Sequence, residues 1–184
     1  MLNACRADYA GFVLFYEKSR RNNTVQNAWQ VLRYLDRKIK RVAVVVSPTL
    51  EQVKMIEQMD FHIIQVHGAL SDEVLGEIRL PVWRAYNIRD DMKPEEVSSP
   101  KICGYVLDGA KPGSGEAFDW EALGSFQRGD KKLILAGGLH AGNVESAIEI
   151  LRPDVVDVSS GVEGRDGKDA VKIKEFIGKV RRHG

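Results

Sequence analysis

Hydrophobic residues along the 184-residue chain are concentrated in seven short runs that are rich in β-branched side chains. Runs of this length and near-continuous apolar character are typical of strands that are buried on both faces of a parallel sheet. The predicted strands are Ala10–Phe15, Arg41–Ser47, His62–Gly68, Val82–Ile88, Ile102–Asp108, Leu133–Gly138 and Val155–Gly161.

The stretches between most of these runs carry the apolar spacing of amphipathic helices. Thr24 is predicted to cap the first of them, because a hydroxyl oxygen can accept a hydrogen bond from a free N–H of the first turn. The helical pattern is weakest after Ile88, where Pro94 and Pro100 enclose only a short stretch. The predicted helices contain TVQNAWQVLRYLDRK, TLEQVKMIEQM, SDEVLGEI, AGNVESAIEIL and DAVKIKEFIGKV.

This alternation of strands and helices predicts a parallel sheet with right-handed crossovers. Two architectures fit it: an open doubly wound sheet, and a closed (β/α)8 barrel with its site at the C-terminal strand ends. The seven predicted strands are one fewer than the barrel requires. Since no linker or low-complexity segment divides the chain, residues 1–184 are predicted to form a single domain.

Composition argues against several classes of function. The formal net charge is +1, which gives no bulk attraction to nucleic acid or to an acidic membrane. The two cysteines, Cys5 and Cys103, lie in no CxxC pair, so neither a zinc site nor a disulfide framework is expected. The sequence shows no membrane-spanning apolar run and no signal-peptide pattern, which predicts a reducing, cytoplasmic environment.

Glycine and serine end two consecutive predicted strands, at Gly137, Gly138, Ser159, Ser160 and Gly161. In barrels, the loops after the seventh and eighth strands often bind a phosphate group, since glycines let backbone N–H groups approach it. The alternative is a pair of ordinary turns, with glycine at positive φ and serine as a cap. The pairing of two such loops favours a phosphate site.

Asp108 directly ends another apolar run. Partial desolvation of such a carboxyl group can raise its pKa to a value useful to a general acid. The glycine-rich stretch GAKPGSGEAFDW that follows has the composition of a loop over a site. The alternative role for Asp108 is to order that loop through local hydrogen bonds.

Arg21 and His67 also lie at predicted strand ends. Arg21 could bind a carboxylate through two parallel hydrogen bonds, or it could remain solvated in its basic run. His67 could line a site, or it could be a structural imidazole with its hydrogen bonds satisfied.

Taken in order, these strand-end segments resemble phosphoribosylanthranilate isomerase of tryptophan biosynthesis, and the resemblance covers nearly the whole chain. The combination of motifs is specific, although no single motif would be. The matching stretches are DYAGFVLFYEKSRR, RVAVVVS, IIQVHG, VLDGAKPGSGEAFDW, LILAGGLHAGNV, VVDVSSGVEGRDGKD and KIKEFI.

The resemblance implies a (β/α)8 barrel that binds a small sugar phosphate and uses no cofactor or metal. It implies an Amadori rearrangement of an aminoaldose phosphate to an aminoketose phosphate. An acid protonates the ribose ring oxygen to open the ring, and a base then removes the proton from C2. The resulting enolamine tautomerises to the product.

Site roles follow from the same resemblance. Asp108 matches the general acid, Arg21 matches the ligand of the anthranilate carboxylate, and His67 lines the site. Gly113 and Gly115 match the substrate loop after the acid. The phosphate ligands correspond to Gly137, Gly138, Ser159, Ser160 and Gly161.

The sequence departs from the family at its start. Family members begin with a strand whose KICG-like motif supplies a cysteine as general base, and a first helix follows. Here the opening MLNACRADYAGFV resembles the end of that helix running into the second strand. Cys5 is therefore in the wrong place to be the base. The KICG at Lys101–Gly104 lies within the strand that ends in Asp108, which puts Cys103 on the order of 15 Å too deep.

A barrel without its first strand has open edges, here at Ala10–Phe15 and Val155–Gly161, and such edges are expected to permit pairing between copies. The absent unit could reflect the start of the sequence, could be supplied by another chain, or could mark an inactive remnant. The leading hypothesis is the isomerase, either active or crippled. The alternatives are a non-catalytic protein that binds a phosphate ligand or a partner, and another sugar-phosphate isomerase or aldolase. Arg21 and the lack of a Schiff-base lysine at a strand end argue against the last.

Overall fold

A computed structural model describes residues 1–88, 99–109, 120, 126 and 128–183. The strands are β1 (Tyr9–Leu14), β2 (Asn22–Asn23), β3 (Lys40–Val46), β4 (Ile63–His67), β5 (Val82–Ile88), β6 (Ile102–Gly109), β7 (Lys132–Leu135), β8 (Val155–Val156), β9 (Glu163–Gly164) and β10 (Gly167–Lys168). The helices are α1 (Leu2–Cys5), α2 (Val25–Leu32), α3 (Leu50–Glu57), α4 (Asp72–Glu77), α5 (Val144–Leu151) and α6 (Ala170–Val180), with a 3-10 turn at Ser160–Val162.

All seven predicted strands have a counterpart, but β7 and β8 end well before their predicted ends, whereas the other five end within one residue of the prediction. β7 stops at Leu135 rather than Gly138, because Gly137 and Gly138 have φ values of +82° and +63°, which an extended strand does not adopt. β8 is only Val155–Val156, because the chain turns into the 3-10 segment at Ser160. The helix-like character expected around Cys5 is confirmed by α1.

The strand count of seven was one too few. The sheet contains eight strands in the order β2-β1-β3-β4-β5-β6-β7-β8, and the additional member is the two-residue β2. β2 pairs in parallel with Val13 and Leu14 of β1. Asparagine disfavours strands, so the hydrophobic pattern gave no signal for β2. The predicted open edge at β1 is therefore partly occupied by β2, and pairing between copies stays a prediction.

The chain divides into two compact units. One contains the described residues of Leu2–Ala85 and Ser98–Cys103, and the other those of Tyr86–Val97 and Gly104–Gly184. The prediction of a single domain over residues 1–184 stays a prediction.

In the first unit, β1, β3 and β4 are parallel neighbours in the sheet. Phe12 of β1 meets Phe61 edge to face, with ring centroids 5.7 Å apart. Arg41 is the buried cation of this unit, and its Nη1 donates to Asp60 Oδ2 at 2.8 Å. The largest fully buried aliphatic side chains of this unit are Leu14, Val45, Val53, Ile56, Ile64, Val66, Ile78 and Ile102.

In the second unit, β6, β7 and β8 are parallel neighbours. Tyr105 pairs with Leu133 in the register of β6 and β7, and its ring meets Phe126 edge to face at a centroid distance of 5.5 Å. This packing fixes the ends of β6 and β7, which lead into the predicted site residues.

Four helices begin at a side chain that satisfies free N–H groups of the first turn. Thr24 accepts from the N–H of Asn27, as predicted, and Ser71 accepts from that of Val74. Asp169 accepts from the first turn of α6, with Val171 and Lys172 as donors. Thr49 forms a reciprocal capping box with Gln52 at the start of α3. In the described part of the chain, no helix is both long and apolar enough to cross a membrane.

Replacing Thr49 by alanine tests the cap of α3. Thr49→Ala removes the acceptor for the N–H of Gln52, and we expect the free energy of unfolding to fall by about 1 kcal/mol. Urea unfolding followed by circular dichroism measures the change. Gln52→Ala is the matched control, since it removes only the reciprocal bond to the Thr49 N–H and should cost less. Equal stability of Thr49→Ala and the parent chain would show that the cap contributes nothing.

Candidate functional site

The glycine that follows β7 lies against the backbone at the end of β6. The N–H of Ala136 still donates to Leu107 O at 2.8 Å, and the chain then turns at Gly137. A Cβ atom on Gly137 would lie 2.2 Å from Gly109 N and 2.8 Å from Asp108 Oδ1. Gly137 is therefore required by a neighbouring backbone, and the Asp108 carboxyl group lies directly beside it.

Asn143 fixes the shape of the Gly137–Gly138 loop. Its Nδ2 donates to Gly138 O at 2.9 Å, and its Oδ1 accepts from the N–H of His140 at 2.8 Å. Asn143 is also the residue before α5, but its side chain makes no capping bond to that helix. The side chain serves the loop, and this role was not predicted.

The loop after β8 packs against the loop after β7. A Cβ atom on Gly161 would lie 2.0 Å from Leu139 O and 2.9 Å from His140 Cβ. The end of β6, which carries Asp108, thus adjoins the loops that carry Gly137 and Gly161 within one unit. Gly113 and Gly115, which were predicted to bind substrate, lie outside the described residues.

A short hairpin adjoins the serine loop and brings a lysine to it. β9 and β10 pair in antiparallel fashion, and Lys168 of β10 reaches back to Ser159. The Nζ atom of Lys168 lies 2.7 Å from Ser159 O and 3.0 Å from Ser159 Oγ. Sequence reasoning missed Lys168, and the only available signal was a basic residue in the GRDGKD turn after the predicted phosphate loop.

His67 ends β4 in the other unit, where it contacts a buried amide. Its Nε2 lies 2.9 Å from Gln65 Nε2, and Gln65 is only 4% exposed. Burial, with a smaller contribution from the Arg84 charge, lowers the pKa of His67 from 6.5 to about 4. Arg84 donates to the carbonyl oxygens of Val66 and Gly68 on either side of His67. His67 is therefore a neutral imidazole at physiological pH.

Arg21 lies in the loop after β1, and its backbone is held by neighbouring side chains. Its N–H donates to Ser19 Oγ at 3.2 Å, and its carbonyl oxygen accepts from Asn23 Nδ2 at 3.0 Å. The same Asn23 belongs to β2, so this small strand and the Arg21 loop are built together.

Neither cysteine lies at a strand end of the predicted site. Cys5 is on α1 and is half-buried. Cys103 lies near the start of β6, where its Sγ is 3.5 Å from Val82 O. It precedes Asp108 by five positions on one strand, which corresponds to about 16 Å of extended chain. Among the residues that the structure describes, no group of three His, Cys, Asp or Glu side chains is arranged to hold a metal ion.

Comparison with known proteins gives a consistent family. The family model described as N-(5'phosphoribosyl)anthranilate (PRA) isomerase matches residues 2–179. The N-(5'-phosphoribosyl)anthranilate isomerase of Streptococcus mutans is 39% identical over 177 residues, which cover 96% of this chain and 89% of that protein.

Solved structures agree with the sequence match. The phosphoribosyl anthranilate isomerase of Thermus thermophilus superposes with a TM-score of 0.84 at 29% identity, covering 97% of this chain and 90% of that one. A phosphoribosyl anthranilate isomerase in complex with reduced 1-(o-carboxyphenylamino)-1-deoxyribulose 5-phosphate superposes with a TM-score of 0.79 at 30% identity, covering 96% and 88%. The predicted (β/α)8-barrel fold class is confirmed by this likeness.

Alanine substitutions at glycines test the contact between the two loops. Gly161→Ala places a methyl group where Leu139 O already lies, and we expect it to lower the free energy of unfolding by at least about 2 kcal/mol. Gly178→Ala in α6 is the matched control, because no atom outside the adjoining backbone of its own helix lies within 4 Å of its added Cβ. That variant should gain up to about 1 kcal/mol. Urea unfolding measures both, and equal effects would contradict the packing.

Titration of His67 tests its neutral state. The unfolded chain binds a proton at this histidine below its ordinary pKa of 6.5, whereas the folded chain does so only below about 4. The free energy of unfolding should therefore fall as the pH drops from about 6.5 to about 4, by on the order of 3 kcal/mol from this group. His67→Asn should remove that part of the pH dependence. A ring resonance of His67 that titrates near 6.5 would show the prediction to be wrong.

Proposed function

Because the chain belongs to the N-(5'-phosphoribosyl)anthranilate isomerase family, we propose that it catalyses the family's rearrangement in tryptophan biosynthesis. The substrate is a small sugar phosphate that carries an anthranilate group, and the product is the corresponding 1-deoxyribulose 5-phosphate. We place this reaction in the cytoplasm, where the sequence pattern predicts the protein.

Asp108 is the proposed general acid. The observation that carries this assignment is the contact between its carboxyl group and the backbone of the Gly137 loop. A carboxyl group at that position can deliver a proton to the ribose ring oxygen as the C1–O bond breaks. The nitrogen lone pair of the substrate then forms the C1–N double bond, which acidifies the proton on C2.

The two loops beside Asp108 are the proposed phosphate site, formed by Gly137, Gly138, Ser159, Ser160 and Gly161. The contact of Gly161 with Leu139 and His140 supports this assignment, since it joins the loops after β7 and β8. Backbone N–H groups and serine hydroxyls are suitable donors to phosphate oxygens.

Arg21 is the proposed ligand of the anthranilate carboxylate, through two parallel hydrogen bonds from its guanidinium group. His67 is proposed to line the site as a neutral group, because its lowered pKa removes it from acid–base exchange near neutral pH. Gly113 and Gly115 complete the proposed substrate contacts. No cofactor enters this scheme.

The proton on C2 requires a base, and we propose that neither cysteine supplies it. Cys103 is hydrogen-bonded to Val82 O near the start of β6, and Cys5 lies on α1. The positions of the two cysteines favour a second candidate function, a protein that binds the phosphate ligand without turnover. Binding and turnover must therefore be measured separately.

Asp108→Asn separates the two candidate functions. The amide cannot donate the acid proton, so any turnover of N-(5'-phosphoribosyl)anthranilate should fall at least about 100-fold, while the reduced product analogue still binds. Chromatography of the product and calorimetry of the analogue measure these effects. Cys103→Ser is the matched control on the same strand and should leave turnover unchanged. Full turnover by Asp108→Asn would refute the assignment of the acid.

Complementation of a tryptophan auxotroph that lacks the isomerase extends this test to cells. Growth with the parent chain would show that a base is available to it. Binding of the analogue without growth or turnover would favour the non-catalytic candidate.

Ser160→Asp should weaken binding of the analogue at least about tenfold, since a carboxylate repels the phosphate group.

A further inference from the structure

The backbone N–H groups of the predicted phosphate loops have no acceptors within the described part of the protein. No described residue accepts a hydrogen bond from the N–H of Ser159, Ser160 or Gly161. The same holds for Gly137 and Gly138 in the adjoining loop. These residues are half-buried, so their N–H groups can bind water or an external acceptor such as a phosphate group.

The ammonium group of Lys168 binds the loop at Ser159 from one side. The Nζ atom of Lys168 donates to Ser159 O at 2.7 Å, to Ser159 Oγ at 3.0 Å and to Glu163 Oε1 at 3.1 Å. An ammonium group has three N–H bonds, and these three contacts can occupy all of them. In this structure Lys168 is therefore engaged with acceptors of the protein itself.

These contacts fix which way the Ser159–Ser160 peptide faces. The C=O of Ser159 and the N–H of Ser160 belong to one trans peptide plane and point in opposite directions. The carbonyl oxygen accepts from Lys168 at 2.7 Å and more weakly from the Val162 N–H at 3.3 Å, so the N–H of Ser160 must point away from the lysine. An ammonium group on the carbonyl also polarises the peptide and makes its N–H a stronger donor.

The hydroxyl group of Ser159 is oriented in the same way. Its oxygen accepts from Lys168, so its hydrogen is directed elsewhere and remains able to donate. Glu163 holds the ammonium group in place, and its side chain is only 14% exposed. The Lys168 charge is thereby balanced by a carboxylate, so its effect on a bound anion comes mainly from orientation.

We propose that Lys168 is a positioning residue, which clamps the Ser159–Ser160 peptide so that the Ser160 N–H and the Ser159 hydroxyl face a bound phosphate group. This inference rests on the proposed phosphate site but assigns a role to a residue outside it. Lys168 itself does not touch the phosphate. Its partner Glu163 holds the clamp in register.

Four variants separate orientation from charge. Lys168→Met removes the clamp and also takes a cation away from Glu163, so we expect the dissociation constants for inorganic phosphate and for the reduced product analogue to rise about tenfold or more. Lys168→Met combined with Glu163→Gln removes the carboxylate charge as well, and it should stay close to the weakened level. Glu163→Gln alone, and Lys168→Arg, which keeps a cationic donor, should remain within about threefold of the parent chain.

Lys172→Met is the matched control in the same region. Lys172 Nζ donates to Glu163 O at 2.7 Å, so it resembles Lys168 in charge and location, but it binds Glu163 rather than Ser159. Its loss should change phosphate binding by about twofold or less. Urea unfolding of each variant shows that the fold is retained, and Lys168→Gln is the second variant if Lys168→Met does not fold.

Isothermal titration calorimetry measures binding, and proton–nitrogen NMR of the Ser160 amide reports the peptide orientation. The inference is supported if Lys168→Met and the double variant bind weakly and shift the Ser160 resonance already in the free protein. It is overturned, with the proposed function intact, if the parent and the double variant bind equally well. If the parent chain binds neither probe, the phosphate site and this inference fail together.

Discussion

The contact between two backbones at the ends of β6 and β7 is the constraint on which the candidate site depends. Gly137 comes so close to Gly109 that any side chain would overlap with it. This approach places the Asp108 carboxyl group against the loop that carries Gly138. The next loop repeats the arrangement, since Gly161 lies against the carbonyl of Leu139. The proposed acid and the proposed phosphate ligands thus lie in adjoining segments because Gly137 and Gly161 have no Cβ atom.

Local signals explain how much of the fold could be predicted. Near-continuous apolar runs identified the strands, and Thr24 marked a helix start because its cap involves only the next few residues. β2, β9 and β10 carry no such signal, since each is a two-residue strand made of polar residues or glycine. β8 was predicted too long because Val158 continues the apolar run VVDV beyond Val156, where the strand ends.

Candidate site residues could be named from the sequence where they directly follow an apolar run, but their supporting contacts from distant segments could not. Asp108, the Gly137–Gly138 pair and the Ser159–Ser160 pair are recognisable in the sequence because a polar residue or glycine directly follows an apolar run. Lys168 reaches Ser159 across a hairpin, and Arg84 reaches the carbonyls around His67 from a neighbouring strand. Such partners depend on the register of separate segments, which a single sequence does not show. The sequence suggested a turn or a ligand as the reason for glycine at position 137. It could not show the close approach of the Gly109 backbone, which also excludes a side chain there.

The caps at Thr24, Thr49, Ser71 and Asp169 bear on how the chain folds during its synthesis. Each capping side chain accepts from an N–H group two or three positions further on. The residues that define the helix start have therefore all emerged once one more helical turn has left the ribosome. Contacts of low sequence separation form quickly and need little loop closure. The position of each helix start is therefore defined early in the nascent chain, whereas helices this short become stable only when the long-range strand pairings form.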